Sequence, residues 1–167
     1  TNIHPLKVVA LLLLHAAQGS SLTIGTALKR KPRYPILEDK EGFVIGSKKG
    51  LSLDYGKDDL GVFVGQAQDV LQALRRYPCD SKGNYINPYD GSPNRNGEMT
   101  FAQISTILSR QGKVVIAPAI IGAREGAGIN DAKQLRAAEA YARTHSKPVL
   151  RRVASSHPEG RASSPVI

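Results

Sequence analysis

The densest apolar segment of the chain, residues 8–14 (VVALLLL), is seven residues long. A helix that crosses a bilayer needs about 20 apolar residues, so this run is too short to span a membrane. Pro5 suits the first turn of a helix, and Gly19 suits its C-terminal end. The run therefore predicts a buried helix from Pro5 to about Gln18, in a chain without a transmembrane segment.

The same segment has an alternative interpretation as a signal-like sequence. Lys7 precedes the apolar run, and small or polar residues follow it at positions 15–21. That order is similar to the layout of a secretion signal. The basic part consists of a single lysine, which favours the buried helix.

Length and composition favour a domain that is stabilised by its own core. A chain of 167 residues has the usual length of one domain, and its only cysteine, Cys79, excludes an internal disulfide and a thiolate zinc cluster. The net charge of +9 favours polyanionic partners such as nucleic acid, anionic lipid or an acidic cell wall. Three Phe, six Tyr and no Trp argue against a reader of single-stranded bases.

Several short segments have the composition of strands. Residues 42–46 and 51–55 flank a Ser-Lys-Lys-Gly sequence, which predicts a hairpin, and residues 61–64 are a candidate third strand. Residues 113–121 (KVVIAPAII) predict a buried strand, with Pro118 near a sheet edge or at the strand's end.

Three further helices are predicted from apolar residues at helical spacing. The first covers residues 66–77, with Ala67, Val70, Leu71 and Leu74 directed inward and Pro78 ending it; the second covers 100–111, capped by Thr100; the third runs from 130 or 131 to 145. The expected fold class is α+β: helices with a small sheet, irregular loops and a disordered C-terminal tail. We expect one domain over residues 1–147 and a flexible basic tail over 148–167.

The strongest pattern in the chain is a helix, then Asp90-Gly91, then Gly97 followed by Thr100 and a second helix. Glycine permits the positive φ of a tight turn, an Asp side chain bonds nearby amides, and Thr caps a following helix. Over residues 61–112 this pattern resembles the small peptidoglycan-binding helix–loop–helix modules of bacterial and phage proteins. The aligned positions are Val64, Gln68, Leu71 and Leu74 on the first helix, the four loop residues, and Ile104 and Ile107 on the second helix. The resemblance implies that Asp90, Gly91, Gly97 and Thr100 belong to a binding surface.

Clustered cations form a second candidate site. The run 29–33 (KRKPR) contains Lys29, Arg30, Lys31 and Arg33, and the tail contains Arg151 and Arg152. Such cations can neutralise phosphates, although no nucleic-acid motif accompanies them. They predict a polyanion-binding surface.

No catalytic constellation, metal site or cofactor is predicted. The four histidines do not fall at paired spacing, and nothing in the sequence requires Cys79 to meet one of them. The hypothesis is a non-enzymatic structural or binding component of a bacteriophage or bacterial envelope or particle, which self-assembles or binds protein partners and contacts peptidoglycan. Its expected location is a virion or the bacterial cytoplasm or envelope. The alternatives are a basic, capsid-associated protein of a viral nucleoprotein particle and a small secreted toxin-like hydrolase.

Overall fold

The computed structural model describes residues 3–49, 51–123, 125 and 132–145. The predicted tail, including Arg151 and Arg152, lies outside these residues. The elements in chain order are α1 (Pro5–Ala17), β1 (Leu22–Arg30), β2 (Ile36–Glu38), β3 (Val44–Ser47), β4 (Tyr55–Gly65), α2 (Ala67–Arg75), α3 (Ile104–Arg110), β5 (Val115–Ile116) and α4 (Ala132–His145). Helices with small mixed sheets confirm the α+β class.

The central sheet has the strand order β4-β1-β5. The long strands β1 and β4 pair antiparallel from Leu22 opposite Gly65 to Arg30 opposite Tyr55, with a register shift between Gly25 and Thr26. Strand β5 pairs parallel with the start of β1. It lies at the sheet edge and ends before Pro118, as predicted, but it is only two residues long where nine were expected.

The predicted hairpin between residues 42–46 and 51–55 is wrong. Strand β3 instead pairs antiparallel with the preceding strand, β2, in a separate two-stranded sheet. The turn between them is closed by Asp39, whose Oδ1 accepts a hydrogen bond from the Phe43 amide at 2.8 Å. The second predicted strand contributes only Tyr55, which begins β4, so the segment after β3 leads to the central sheet rather than back onto its neighbour.

Two hydrophobic clusters occupy opposite faces of the central sheet, because successive side chains of a strand point to opposite sides. Phe63 packs against the cluster that includes Ile104 and Leu108 of α3. Its neighbours Val62 and Val64 pack against the cluster that includes Leu11 of α1. Thus α1 covers one face of the sheet, while α2 and α3 cover the other.

Helix α1 has the predicted bounds but not the predicted burial. Only Leu11 and His15 are buried in it. Leu11 fits against Gly25, where a Cβ atom would lie 3.1 Å from the Leu11 side chain and 2.7 Å from that of Ile121. The outward side of α1 carries exposed leucines, including Leu6 and Leu13. The sequence pattern therefore predicted the position of the helix correctly, but its prediction that the helix is buried was wrong.

The other helices lie close to their predicted bounds, but the predicted orientation of α2 is wrong at two residues. Ala67 and Leu71 were expected to face inward but are exposed, Leu71 to 54%, and the fully buried position is Ala73. Val70 and Leu74 of the same helix do pack against the core. No helix within the described residues is long and apolar enough to cross a membrane.

Candidate functional site

The segment between α2 and α3 is an ordered loop, held by its own polar side chains. Asp80 Oδ1 accepts hydrogen bonds from the amides of Lys82 and Asn84, at 2.8 and 2.9 Å. The hydrogen bond from the Asn84 side chain lowers the pKa of Asp80, since it stabilises the charged carboxylate. Further along, isolated bridges pair Cys79 with Tyr85 and Ile86 with Pro93. The loop thus folds back on itself twice without forming a regular sheet.

Asp90 fastens this loop to the end of β3. Its carboxylate forms an ion pair with Lys48 and accepts hydrogen bonds from the Ser92 amide, at 3.1 Å, and from the Ser92 hydroxyl, at 2.6 Å. The hydrogen bond from the Lys48 ammonium, followed by that from the Ser92 side chain, lowers the pKa of Asp90 to about 2. Asp90 is therefore ionised at neutral pH and already has a cationic partner.

The two loop glycines adopt the backbone that the sequence pattern predicted. Gly91 and Gly97 have φ values of +73° and +66°. At Gly97 a Cβ atom would also lie 2.7 Å from Asn84 Oδ1, so this position excludes a side chain on two grounds. Both glycines let the loop turn and pack on itself.

Thr100 has the extended backbone of an N-cap, but its side chain makes no capping hydrogen bond. Its amide donates instead to Tyr77 Oη at 3.3 Å. The predicted capping role of the Thr100 hydroxyl is therefore wrong. The backbone amide, which the sequence pattern did not single out, is the group that ties Thr100 to Tyr77, just after the end of α2.

Sequence reasoning missed a polar network beneath the loop, formed by Tyr77, Asn94 and Gln103. The Tyr77 hydroxyl donates to Gln103 Oε1 and accepts from Asn94 Nδ2 at 3.1 Å. Asn94 and Gln103 also exchange two amide hydrogen bonds, at 3.0 and 3.2 Å. Burial raises the pKa of the Tyr77 hydroxyl, which keeps it protonated and able to donate. The available signal was Gln103, a polar residue next to inward-facing Ile104.

An open groove of about 620 Å³, here called the arginine groove, lies where α2 and α3 end beside the loop. Its polar lining includes Arg76 at the end of α2 and Arg110 at the end of α3, and predicted residues Asp90 and Gly91 line it too. Arg110 donates to the Tyr89 carbonyl at 3.0 Å, which holds the guanidinium against the loop. Neither guanidinium forms an ion pair with a described carboxylate, so both retain donors for a ligand.

A smaller cavity of about 350 Å³, here called the amide pocket, is lined by the later residues of the same loop. It shares buried Asn87 with the arginine groove, so the two cavities adjoin. Its polar lining residues are Lys49, Asn87, Ser92, Asn94, Glu98, Thr100 and Gln103. Three of the four predicted loop residues therefore line one cavity or the other, whereas Gly97 shapes the loop between them.

The predicted basic run, residues 29–33, lies close to the amide pocket. Lys29 is bound to Asp58 by an ion pair of 2.9 Å and is not an unpaired cation. Arg30, Lys31 and Arg33 are exposed. The cationic groups of Arg33 and Lys49 lie 5.5 and 5.0 Å from the ring centre of Tyr34. Because Lys49 also lines the amide pocket, the tertiary structure brings the basic run and the loop together.

His15 has the setting of a structural residue, whereas Cys79 is exposed. His15 is buried, and its Nδ1 lies 2.9 Å from Ser20 Oγ and 3.1 Å from Thr23 Oγ1. Both hydroxyls are fully buried, so this cluster gives a substrate no access to a nucleophile.

No protein-family model and no curated protein matches this chain. Among solved structures, the chain is similar to a nucleoside-diphosphate-sugar pyrophosphorylase from Vibrio cholerae, at 17% sequence identity and a TM-score of 0.48. The match covers 66% of this chain, and the chain spans 42% of that protein.

Proposed function

We propose that this chain is a non-enzymatic binding component of a bacterial or bacteriophage envelope or particle, and that peptidoglycan is its ligand. The observation that carries the proposal is the pair of adjoining cavities around one ordered loop. The arginine groove offers two guanidinium groups that form no ion pair with a carboxylate of the described residues, and side-chain amides and a hydroxyl line the amide pocket. Together they match a ligand that carries both carboxylates and amides.

The two parts of peptidoglycan, its peptide stems and its sugars, suit the arginine groove and the amide pocket respectively. Its peptide stems carry carboxylates, which guanidinium groups bind with paired, charge-assisted hydrogen bonds. Its sugars carry hydroxyl and N-acetyl groups, which amide side chains can bind as donors and acceptors. A strand that crossed the loop at Asn87 would place a stem at Arg76 and Arg110 and a sugar beside Asn94.

Asp90 supports this site by positioning the loop rather than by binding the ligand. Its charge is already neutralised by Lys48, and its carboxylate fixes the turn at Ser92. Because the loop is tied down before a ligand arrives, binding does not have to order it, which lowers the entropic cost of association.

Co-sedimentation with purified sacculi tests the proposal. We expect the double variant Arg76→Ala/Arg110→Ala to bind at least tenfold more weakly than the unchanged chain, a loss of the size expected for charge-assisted contacts. Arg75→Ala is the matched control, because it removes a neighbouring exposed charge at the end of the same helix that does not line the groove. Failure of the unchanged chain to sediment with sacculi, or an equal loss in the Arg75 control, would contradict the proposal.

A second candidate function is a basic component of a nucleoprotein particle. It is favoured by the cationic groups of Arg33 and Lys49, which both lie close to the aromatic ring of Tyr34, with exposed Arg30 and Lys31 nearby in the chain. Binding there would be electrostatic and would weaken steeply with salt. Titration with duplex DNA and with RNA at two salt concentrations distinguishes the candidates, since Arg33→Ala would weaken nucleic-acid binding and leave binding to sacculi unchanged.

A further inference from the structure

The outward side of α1 is an apolar surface without a polar residue. The helix contains two polar side chains, and both face the protein: Lys7 is in an ion pair with Glu125, and His15 is buried. The outward aliphatic residues, with their exposed fractions, are Leu6 (70%), Val8 (38%), Val9 (48%), Leu12 (50%) and Leu13 (66%). Contiguous apolar patches of this kind mark interaction sites rather than ordinary surface.

We propose that this surface is a self-association interface, in which α1 packs against α1 of a second copy of the chain about a two-fold axis. The five aliphatic side chains present roughly 500 Å² of apolar surface per copy, so pairing them would bury up to roughly 1,000 Å², the lower limit of a specific interface. A two-fold interface needs a surface that is complementary to itself. A uniformly aliphatic helix face meets that requirement.

Charge also favours a second copy over a membrane. Helices that lie in a membrane interface carry Lys and Arg on their polar side and aromatic residues at the boundary. Helix α1 has no Arg and no aromatic residue, and its one lysine is occupied by Glu125. Two copies of a chain with net charge +9 repel each other. At the uncharged α1 face they can meet without placing positive charges opposite one another.

The position of α1 gives the dimer a consequence for binding. Helix α1 covers one face of the central sheet, while the arginine groove lies at the ends of α2 and α3 on the other. Pairing through α1 therefore leaves both grooves open. Two grooves in one particle would strengthen attachment to a polymer that repeats its ligand, without any new contact.

Sedimentation equilibrium of the 167-residue chain from ~1 to ~200 µM tests the inference. We expect a monomer–dimer equilibrium that high salt does not weaken, because apolar burial is not screened. Leu6→Gln/Leu13→Gln should weaken dimerisation at least tenfold. Leu28→Gln/Leu71→Gln is the matched control, because it removes two leucines that are 50% and 54% exposed elsewhere, and it should change the dimer constant less than about twofold.

Three outcomes would overturn the inference. One is a monomer across the whole concentration range, and another is a dimer that the Leu6/Leu13 variant does not weaken. The third is a monomer that sediments with phosphatidylcholine–phosphatidylglycerol vesicles through Leu6 and Leu13, which would assign the face to a membrane. We expect the Leu6/Leu13 variant to bind soluble muropeptides with the affinity of the unchanged chain. The α1 interface and the arginine groove would then be independent, so that the dimer inference and the proposed function can each be contradicted without the other.

Discussion

The loop between α2 and α3 and the outward face of α1 differ in whether their side chains find partners within the chain. The loop is rich in polar residues, yet its Asp, Asn and Tyr side chains bond to one another and to the backbone. Helix α1 is rich in leucine, yet Leu6 and Leu13 face solvent. Composition therefore misjudges both regions, because it counts residue types and not their partners.

The largest expected effect is on the free energy of unfolding, and it should differ between the two sides of α1. Leu11→Ala should lower the free energy of unfolding by roughly 2–5 kcal/mol, because it leaves a cavity between α1 and Gly25 of the sheet. Leu13→Ala, on the outward side of the same helix, should change the stability of the monomer by less than about 0.5 kcal/mol. Urea denaturation at a concentration below dimerisation measures both, and equal losses would mean that α1 is not packed as described.

An intermediate effect is expected in the network beneath the loop. Tyr77→Phe should destabilise the chain by about 1–3 kcal/mol, because it removes one of the two donors to buried Gln103 Oε1 and leaves the Thr100 amide without its acceptor. Tyr85→Phe is the control, since that ring is partly exposed and packs edge-on against Tyr77. If Tyr77→Phe cost no more than the control, the loop would not be held by this network.

The smallest effect concerns the ion pair that fastens the loop to β3. The folded-state pKa of Asp90, about 2, lies below its usual unfolded value near 3.9, so the folded state binds fewer protons in this range. The stabilisation is complete above about pH 5 and is lost progressively as the pH falls through 2. Because the site is near solvent, Asp90→Asn should cost only about 0.5 kcal/mol at pH 7.

Denaturation of the unchanged chain and of Asp90→Asn at pH 7, 4 and 2 measures this pH dependence. The difference in unfolding free energy should be largest at pH 7, slightly smaller at pH 4 and much smaller at pH 2. Lys48→Met removes the same ion pair from the other side and should give a similar loss at neutral pH. A difference that grew on acidification would contradict the assignment of the pair.

The candidate site was predictable where it depended on local backbone. Gly91 and Gly97 lie at positive φ, as a tight loop requires, and Asp90 bonds a nearby amide as an Asp in a turn does. The two arginines of the groove were not predictable. Arg76 and Arg110 are 34 positions apart, and only the packing of α2 on α3 brings both helix ends to the same loop.

The sequence by itself determined where the helices begin and end. Pro5, Gly19 and Pro78 act on the backbone of adjacent residues, and α1 and α2 end within a few residues of the predicted positions. Only the tertiary structure decided that β3 pairs with β2, that β4 pairs with β1, and which side of α1 meets the sheet. These choices depend on the burial of side chains that are distant in sequence, and no local pattern encodes which of several apolar segments will be the partner.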